Sequence, residues 1–231
     1  MMNITASFFM IIFHIITIFP DIFSSYFNES ILRRAQEKKI IKIKIYNIRD
    51  FAKDKHKTAD DRPYGGGAGM VMRAEPIIRA VESVLKKIPP KADRPRAEKI
   101  ILFSAKGKQF NQEMAFNWSK KYRDIIMICG RYEGIDERVK KVLKAQEISI
   151  GPYVLTDGEI PAMILVSSIS RHIPGVLGKI ESLEENKGSY PAYTRPEVFK
   201  WKGKKYRVPK ILLSGDHKRI SEWRKKYGKI I

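Results

Sequence analysis

The segment at residues 60–70 (DDRPYGGGAGM) has a composition that suits contact with a flat or anionic ligand. It has four glycines within the five positions 65–69. Glycine lets backbone N–H groups approach a phosphate or lie against a base, and it tolerates positive φ angles. No Gly-Lys-Ser/Thr triplet follows, which argues against nucleoside triphosphate hydrolysis. A flexible surface loop is the alternative interpretation.

A second segment, residues 129–138 (CGRYEGIDER), directly follows an apolar run that predicts a buried strand. Open α/β sheets bind ligands in the loops after the carboxyl ends of their strands. Glu133 offers a carboxylate that accepts hydrogen bonds from a ribose or an amino group. The alternative is a helix start at which Asp136 and Glu137 complement the helix dipole. We expect Cys129 to be a core residue and not a nucleophile, because no histidine lies near it in sequence.

The third segment, residues 148–162 (ISIGPYVLTDGEIPA), has two glycines and two prolines in a short apolar stretch. Glycine and proline favour backbone angles that differ from those of a regular helix or strand, so the segment is expected to be a fixed loop. We interpret the segment as a loop that grips a small molecule with main-chain groups.

The fourth segment, residues 170–178 (SRHIPGVLG), ends an apolar stretch at 160–171 that predicts a buried helix. Arg171 leaves that helix into a loop with proline and glycine, which makes it a candidate to stabilise negative charge on a reacting group. The alternative is an arginine that complements the dipole at a helix C-terminus.

Two more segments lie near the C-terminus, at residues 190–198 (YPAYTRPEV) and 212–224 (LLSGDHKRISEWR). Ser214 or Asp216 can cap a helix that carries basic residues together with Trp223. Basic side chains beside an aromatic ring suit a nucleic-acid backbone and its exposed bases. Alternatively, Trp223 and Ile220 pack inside a small module whose lysines are solvated.

The composition points to a folded protein with a polyanionic partner. Of 231 residues, 45 are Lys or Arg and 25 are Asp or Glu, a net charge of +20, while 43% are hydrophobic. The single cysteine excludes a disulfide framework and a cysteine-based zinc site. Residues 33–57 carry 10 basic and 3 acidic residues, and residues 195–231 carry 13 and 3. This asymmetry favours a docking surface for nucleic acid or an anionic membrane over a general solubility bias.

The apolar run at residues 8–19 has neither the positive flank nor the cleavage site of a secretory signal. Pro20 and Asp21 end it after 12 residues, whereas a transmembrane helix needs roughly 20. Its β-branched and aromatic residues predict a strand buried in a parallel sheet, in which His14 is a hydrogen-bonded core or edge residue. We therefore expect a cytoplasmic protein without a membrane partner.

Apolar strands that alternate with helices predict an α/β fold, a parallel sheet with helices on both faces. The expected strands are residues 8–19, 40–48, 99–104 and 124–129, and the expected helices include 21–37 (capped by Asp21), 76–87 and 160–171. The acidic and polar composition of residues 178–190 predicts a linker. The basic residues that follow predict a small helical module.

Taken together, the six segments resemble the bacterial tRNA (guanine-N1)-methyltransferase family, which modifies the guanine just 3′ of the anticodon. The strings DDRPYGGGAGM, CGRYEGIDERV, SIGPYVLTDGE, SRHIPGVLG, YTRPEV and LLSGDHKRISEWR occur in one order between about Met10 and Arg224. Residues 1–9 are then expected to be a non-essential extension.

The resemblance implies a methyltransferase domain at 10–178 with a deep trefoil knot, a linker at 179–190, a helical tRNA-binding domain at 191–231, and a homodimer. It implies S-adenosyl-L-methionine as methyl donor. The implied cofactor residues are Phe103, Ser104, Gly130, Glu133, Gly134, Ile150, Gly151, Pro152, Tyr153, Val154 and Leu155. The implied tRNA contacts are Arg195, Lys218, Arg219 and Arg224. Pro152 stands where the family often has an acidic residue.

Methylation of guanine N1 requires loss of its proton, which moves negative charge onto O6. The site therefore needs a general base, a cation at O6 and an in-line methyl group. Arg171 matches the family's arginine, and the family's base is a linker aspartate. Ungapped spacing puts Asn186 at that position, and an amide cannot take the proton. Our hypothesis is that Glu185 is the base, with Glu184 as second choice.

Two other functions are compatible with these features. One is a knotted methyltransferase that acts on ribosomal RNA. The other is a catalytically silent tRNA-binding protein, which the missing aspartate leaves open.

Overall fold

A parallel β-sheet organises the larger of two units into which the chain divides, residues 1–177 and 178–231. The computed structural model describes residues 10–88, 98–178 and 189–228. The strands of the first unit are β1 (Ile11–Thr17), β2 (Ile41–Asn47), β3 (Asp60–Asp61), β4 (Val71–Met72), β5 (Glu98–Gln109), β6 (Asp124–Ile128) and β7 (Gln146–Ser149). Five of them form the sheet, in the order β2-β1-β6-β5-β7 with all neighbours parallel. The short strands β3 and β4 pair antiparallel on their own.

The helices of this unit are α1 (Ser24–Phe27), α2 (Ser30–Glu37), α3 (Ala74–Leu85), α4 (Gln112–Lys121), α5 (Glu137–Leu143) and α6 (Glu159–Ser170), with 3₁₀ turns at Pro20–Phe23 and Ile48–Phe51. The expectation of one helix over 21–37 is wrong. Glu29 is extended, with φ −121° and ψ 154°, and separates α1 from α2. Asp21 does not cap a helix either, since it lies inside the first 3₁₀ turn. No helix in the described residues is long and apolar enough to span a membrane.

Two apolar clusters cover opposite faces of the sheet. Alternate residues of β1 and β6 point to opposite faces, so Phe13 joins one cluster and Ile16 the other. Helix α6 packs on the first face through residues such as Leu165, and α3 packs on the second through residues such as Val81. The predicted α/β architecture is confirmed.

His14 links three adjacent strands. Its ring is 3% exposed, with Nε2 2.9 Å from Asp124 Oδ1 and Nδ1 3.1 Å from Tyr46 Oη. Burial, and next the negative charge of Asp124, raise the pKa of Tyr46. His14 is therefore a hydrogen-bonded core residue, as predicted.

The second unit contains a β-hairpin besides its helices. Its elements are β8 (Val198–Trp201), β9 (Lys204–Arg207), α7 (Lys210–Leu213) and α8 (His217–Tyr227). The prediction of an entirely helical module is therefore wrong. Two strands form because Lys202 and Gly203 both have positive φ and make a tight two-residue turn between them. Asp216 caps α8 by accepting from the Arg219 N–H at 3.0 Å, as predicted. Trp223 is half-buried between the rings of Tyr193 and Tyr227, so the packing alternative holds for this residue.

Candidate active site

A cleft of about 330 Å³ opens beyond the carboxyl ends of β6 and β7, beside the irregular middle of β5 between Phe103 and Lys108. This is the edge at which open α/β sheets bind ligands. Three stretches distant in sequence contribute its wall: residues 102–106, most of 130–137, and most of 147–161. The tertiary structure thus brings the second and third sequence segments together in one site.

Nine of the eleven residues predicted to bind the cofactor line this cleft, namely Phe103, Ser104, Gly130, Glu133, Gly134, Ile150, Tyr153, Val154 and Leu155. The other two, Gly151 and Pro152, belong to the same loop but do not line the cleft. Gly151 is buried under the Tyr153 ring, so that a Cβ there would lie 2.3 Å from a ring carbon. A glycine is needed at this position for the tyrosine to fold back over its own loop.

The glycine-rich segment meets the second segment through backbone pairing. Met72 N–H donates to the Gly134 carbonyl at 2.9 Å, and Glu133 N–H donates to the Met70 carbonyl at 3.0 Å. The Glu133 side chain then lies directly on Gly69, where a Cβ would be 2.5 Å from Oε1. Gly69 therefore determines where the Glu133 carboxylate sits at the cleft.

Gly69→Ala is expected to weaken binding of a cleft ligand about tenfold, because the new methyl group displaces Glu133. Gly66→Ala is the matched control: both glycines have positive φ, +83° and +78°, but a Cβ at 66 meets nothing within 4 Å. Both variants carry the same backbone strain. Isothermal titration with S-adenosylmethionine checks the difference, and equal affinities for the two variants would contradict it.

The lining of the cleft is acidic although the chain is strongly basic. It carries four acidic residues (Glu133, Glu137, Glu147 and Asp157) against two basic ones (Lys106 and Arg131). Within the described residues, three of these carboxylates have ion-pair partners and Glu133 has none. A hydrogen bond from Lys140 lowers the pKa of Glu147. The cleft is therefore suited to a cationic ligand, with Glu133 as the free carboxylate.

A buried polar cluster holds the loops of the cleft in place. Glu159 is fully buried and accepts from Thr17 Oγ1 at 2.6 Å and from Arg131 Nε at 3.1 Å. The cluster joins the end of β1, the loop after β6 and the start of α6. Beside it, Gly158 N–H donates to the Gly130 carbonyl at 3.0 Å, and a Cβ at 158 would lie 2.7 Å from Cys129 Cα. Thr17 and Glu159 were not among the residues predicted from the sequence, because residues so far apart in the chain carry no signal of their contact.

Thr17→Val is expected to destabilise the fold by about 1–3 kcal/mol at neutral pH, since a buried carboxylate loses its donor. Burial raises the pKa of Glu159, while the Thr17 hydroxyl opposes that shift. The hydroxyl stabilises the ionised form, so the loss is largest at high pH and shrinks as Glu159 is protonated, at a pH above its ordinary 4.5. Urea unfolding across pH measures this. The control is Thr156→Val, whose hydroxyl donates to Asp157 at an exposed position and whose loss is expected to cost little.

Cys129 lies beneath this cluster and is fully buried. Burial raises the pKa of its thiol well above the ordinary value, with the charges of Glu159 and Asp157 adding to the effect. The thiol is therefore a core group, as predicted, and not a nucleophile.

Arg171 does not line the cleft. It is the half-buried residue that ends α6, and the 12 residues of α6 place it about 18 Å along the axis from the Glu159 end, which borders the cleft. The candidate bases Glu185 and Glu184, together with Asn186, lie outside the described residues. In the described parts of the chain, no group of three or more His, Cys, Asp or Glu is arranged to hold a metal ion.

All four residues predicted to contact tRNA belong to the second unit and are exposed: Arg195, Lys218, Arg219 and Arg224. The guanidinium of Arg224 lies 5.0 Å from the centre of the Tyr190 ring. Arg219 also lies in the first turn of the helix that Asp216 caps.

The fold and the cleft define an α/β protein that binds its ligand in loops at the carboxyl edge of a parallel sheet. The model of the family described as tRNA (Guanine-1)-methyltransferase TrmD matches residues 11–229. The chain belongs to this family, as its sequence segments predicted.

Curated relatives agree over nearly the whole chain, and each is named tRNA (guanine-N(1)-)-methyltransferase. The protein of Clostridioides difficile (strain 630) is 51% identical over 92% of this chain and 90% of its own. The protein of Dictyoglomus turgidum is 51% identical over 92% of this chain and 82% of its own. The protein of Dehalococcoides mccartyi (strain CBDB1) is 48% identical over 92% of this chain and 83% of its own.

Proposed function

We propose that this protein is a tRNA (guanine-N1)-methyltransferase that transfers a methyl group from S-adenosyl-L-methionine to N1 of the guanosine immediately 3′ of the anticodon. The observation that carries the proposal is the acidic cleft at the sheet edge, built by the segments that the family shares, in a chain whose net charge is +20. The cleft suits a cationic cofactor, and the charge suits a polyanionic substrate. A tRNA substrate would place the reaction in the cytoplasm.

The residues of the cleft fit S-adenosylmethionine. Its volume of about 330 Å³ lies within the range of small-molecule pockets. Apolar side chains such as Leu102, Ile135 and Pro161 offer walls for an adenine ring. Glu133 is placed to accept hydrogen bonds from a ribose or amino group. When bound, the cofactor supplies an electrophilic methyl group on a positively charged sulfur, which the acidic lining favours.

Two residues of the chain are proposed to act on the guanine. Glu185 takes the N1 proton, which makes the ring nitrogen a nucleophile. Arg171 stabilises the negative charge that the loss of this proton moves onto O6. Glu185 would be positioned by the binding of tRNA, since the linker that carries it joins the two proposed domains. Arg171 lies a helix length from the cleft of its own chain, so we propose that in a homodimer it acts at the cleft of the second copy.

We also infer the deep trefoil knot and the homodimer that the family resemblance implied. The knot is inferred from the family alone, and the contact of Gly158 with Gly130, which packs the loop after β7 against the loop after β6, is compatible with it. Helix α6 supports the dimer. It is apolar on all sides, yet Ile160 and Ile164, one turn apart, are 42% and 36% exposed. A helix of this kind is normally buried, and a second copy would cover this face. Light scattering should give twice the 26.7 kDa of one chain.

The assay that tests the proposed function measures methyl transfer from labelled S-adenosylmethionine to a tRNA transcript. A transcript with adenosine in place of the guanosine beside the anticodon is the control. Product on the first transcript alone supports the proposal. Binding of tRNA without product would favour the silent tRNA-binding protein, and methylation of ribosomal RNA alone would favour the other enzyme.

Neutralising Lys218, Arg219 and Arg224 together to glutamine is expected to weaken tRNA binding and leave the affinity for S-adenosylmethionine unchanged. The slope of log affinity against log salt should also fall, by roughly 0.7–0.9 for each phosphate that the variant no longer neutralises. Filter binding over a salt series measures both quantities.

The matched control replaces three basic residues of the first unit, Lys86, Lys141 and Lys144, which are all exposed and lie outside residues 33–57. We expect a smaller loss of tRNA affinity from these changes. If the C-terminal variant lost cofactor and tRNA binding in parallel, its three residues would be structural and not docking residues.

A further inference from the structure

The hairpin of the second unit presents an exposed row of aromatic rings. Phe199, Trp201 and Tyr206 are 53%, 58% and 52% exposed. Phe199 and Trp201 are two positions apart on β8, and Tyr206 on β9 lies directly opposite Phe199, so the three share one face of the hairpin. We call these three residues the aromatic row. Large aromatic side chains are rarely left exposed together without a partner.

The geometry of the aromatic row suits flat ligands. The Phe199 and Trp201 rings are tilted by only 13°, with centroids 6.3 Å apart, and the Phe199 and Tyr206 centroids are also 6.3 Å apart. Each exposed ring therefore offers a surface to a base, and bases stacked on the near-parallel pair would share one orientation.

The hairpin at 198–207 carries five cations and no acidic residue, and the exposed Glu197 lies just before it. No acidic residue occurs between Glu197 and Asp216. Lys200, Lys205 and Arg207 lie on the opposite face of the hairpin, while Lys204 pairs across from Trp201 and Lys202 lies in the turn; all five are exposed. Cations beside exposed rings are the pattern by which proteins hold single-stranded nucleic acid, with phosphates bound by charge and bases by stacking. Double-stranded RNA keeps its bases stacked inside and does not offer their faces.

We propose that the aromatic row binds unpaired bases of the tRNA by stacking, while Lys204 on the same face and Lys202 in the turn contact the adjoining phosphates. The inference rests on the proposed tRNA methyltransferase activity and adds a specificity for unpaired RNA. It also adds the hairpin to the tRNA contacts that the sequence predicted at Arg195 and on α8.

The test compares Trp201→Ala with Trp201→Phe in the full chain. Three RNAs are titrated: the tRNA transcript, a ten-residue oligouridylate, and a duplex of the same length. Trp201→Ala is expected to weaken binding of the transcript and the oligouridylate about tenfold, to leave duplex binding unchanged, and to keep the salt slope of the wild type. Trp201→Phe is expected to keep most of the affinity. Lys204→Ala, which removes a cation from the face of the aromatic row, should in contrast lower the salt slope.

Tyr26→Ala, which removes a 41% exposed aromatic residue of the first unit, is the matched control and should leave oligouridylate binding unchanged. Unchanged binding of oligouridylate by Trp201→Ala would overturn the inference, and so would an equal loss of duplex binding. A change in molar mass of that variant would also overturn it, because the aromatic row would then be an interface between copies. Methylation of the transcript by the wild type, measured in parallel, tests the proposed function separately.

Discussion

Arg171→Ala is expected to lower the single-turnover rate of tRNA methylation about 10²–10³-fold, the loss seen when one group that stabilises a developing oxyanion is removed. The charge on guanine O6 appears only as the N1 proton leaves. The arginine therefore stabilises the transition state more strongly than it stabilises the enzyme–tRNA complex before reaction. The affinity for S-adenosylmethionine should stay that of the wild type, because Arg171 does not line the cleft. Rapid quench with saturating enzyme measures the rate, and calorimetry the affinity.

Arg171→Lys is the control that keeps the charge but loses the planar pair of donors, and it should fall between the wild type and Arg171→Ala. A parallel fall in cofactor affinity and thermal stability would instead assign Arg171 to the structure of the helix end. An unchanged rate would contradict its role at O6.

Glu185→Gln is expected to lower the same rate about 10²–10⁴-fold at neutral pH, the usual contribution of a general base. Glutamine has nearly the same shape but cannot take a proton. The variant should recover part of its rate as the pH is raised, because hydroxide then removes the N1 proton. A pH profile of the single-turnover rate shows this recovery, which loss of tRNA binding would not produce.

Glu184→Gln, one residue away, is the matched control and should have the smaller effect. Asn186→Asp in the Glu185→Gln background tests whether a carboxylate at the family's position restores the rate. If both glutamate variants methylated tRNA as fast as the wild type, the base would lie elsewhere in the chain.

Most of the sheet could be predicted from local composition. The segments that form β1 and β6 are mostly isoleucine, with phenylalanine in β1 and methionine in β6. Side chains this apolar on both faces of a strand are typical of a strand covered on both sides. The strand β7 was missed because its four residues, QEIS, have one apolar side chain and no period. The hairpin at 198–207 was missed because its many lysines resemble the solvated face of a helix, and the turn at Lys202 and Gly203 was not recognised.

The candidate site was predictable to the extent that its chemistry lies in contiguous segments. Nine residues that line the cleft could be named from the sequence because they lie in runs that the family shares. The contact of Glu133 with Gly69 could not be predicted from the sequence, because these residues are 64 positions apart. The isolated bridge between Met72 and Ile135 brings their segments together.

The amino-acid sequence by itself determined the family, the α/β class and the excess of positive charge, because these follow from residue types and their order. Tertiary structure alone decided three further properties. It buried Glu159 between Thr17 and Arg131, which lie on other elements. It concentrated acidic residues in a cleft of a basic protein, since strand order selects which loops meet. It placed Arg171 a helix length from that cleft, because a helix separates its two ends by a fixed rise per residue.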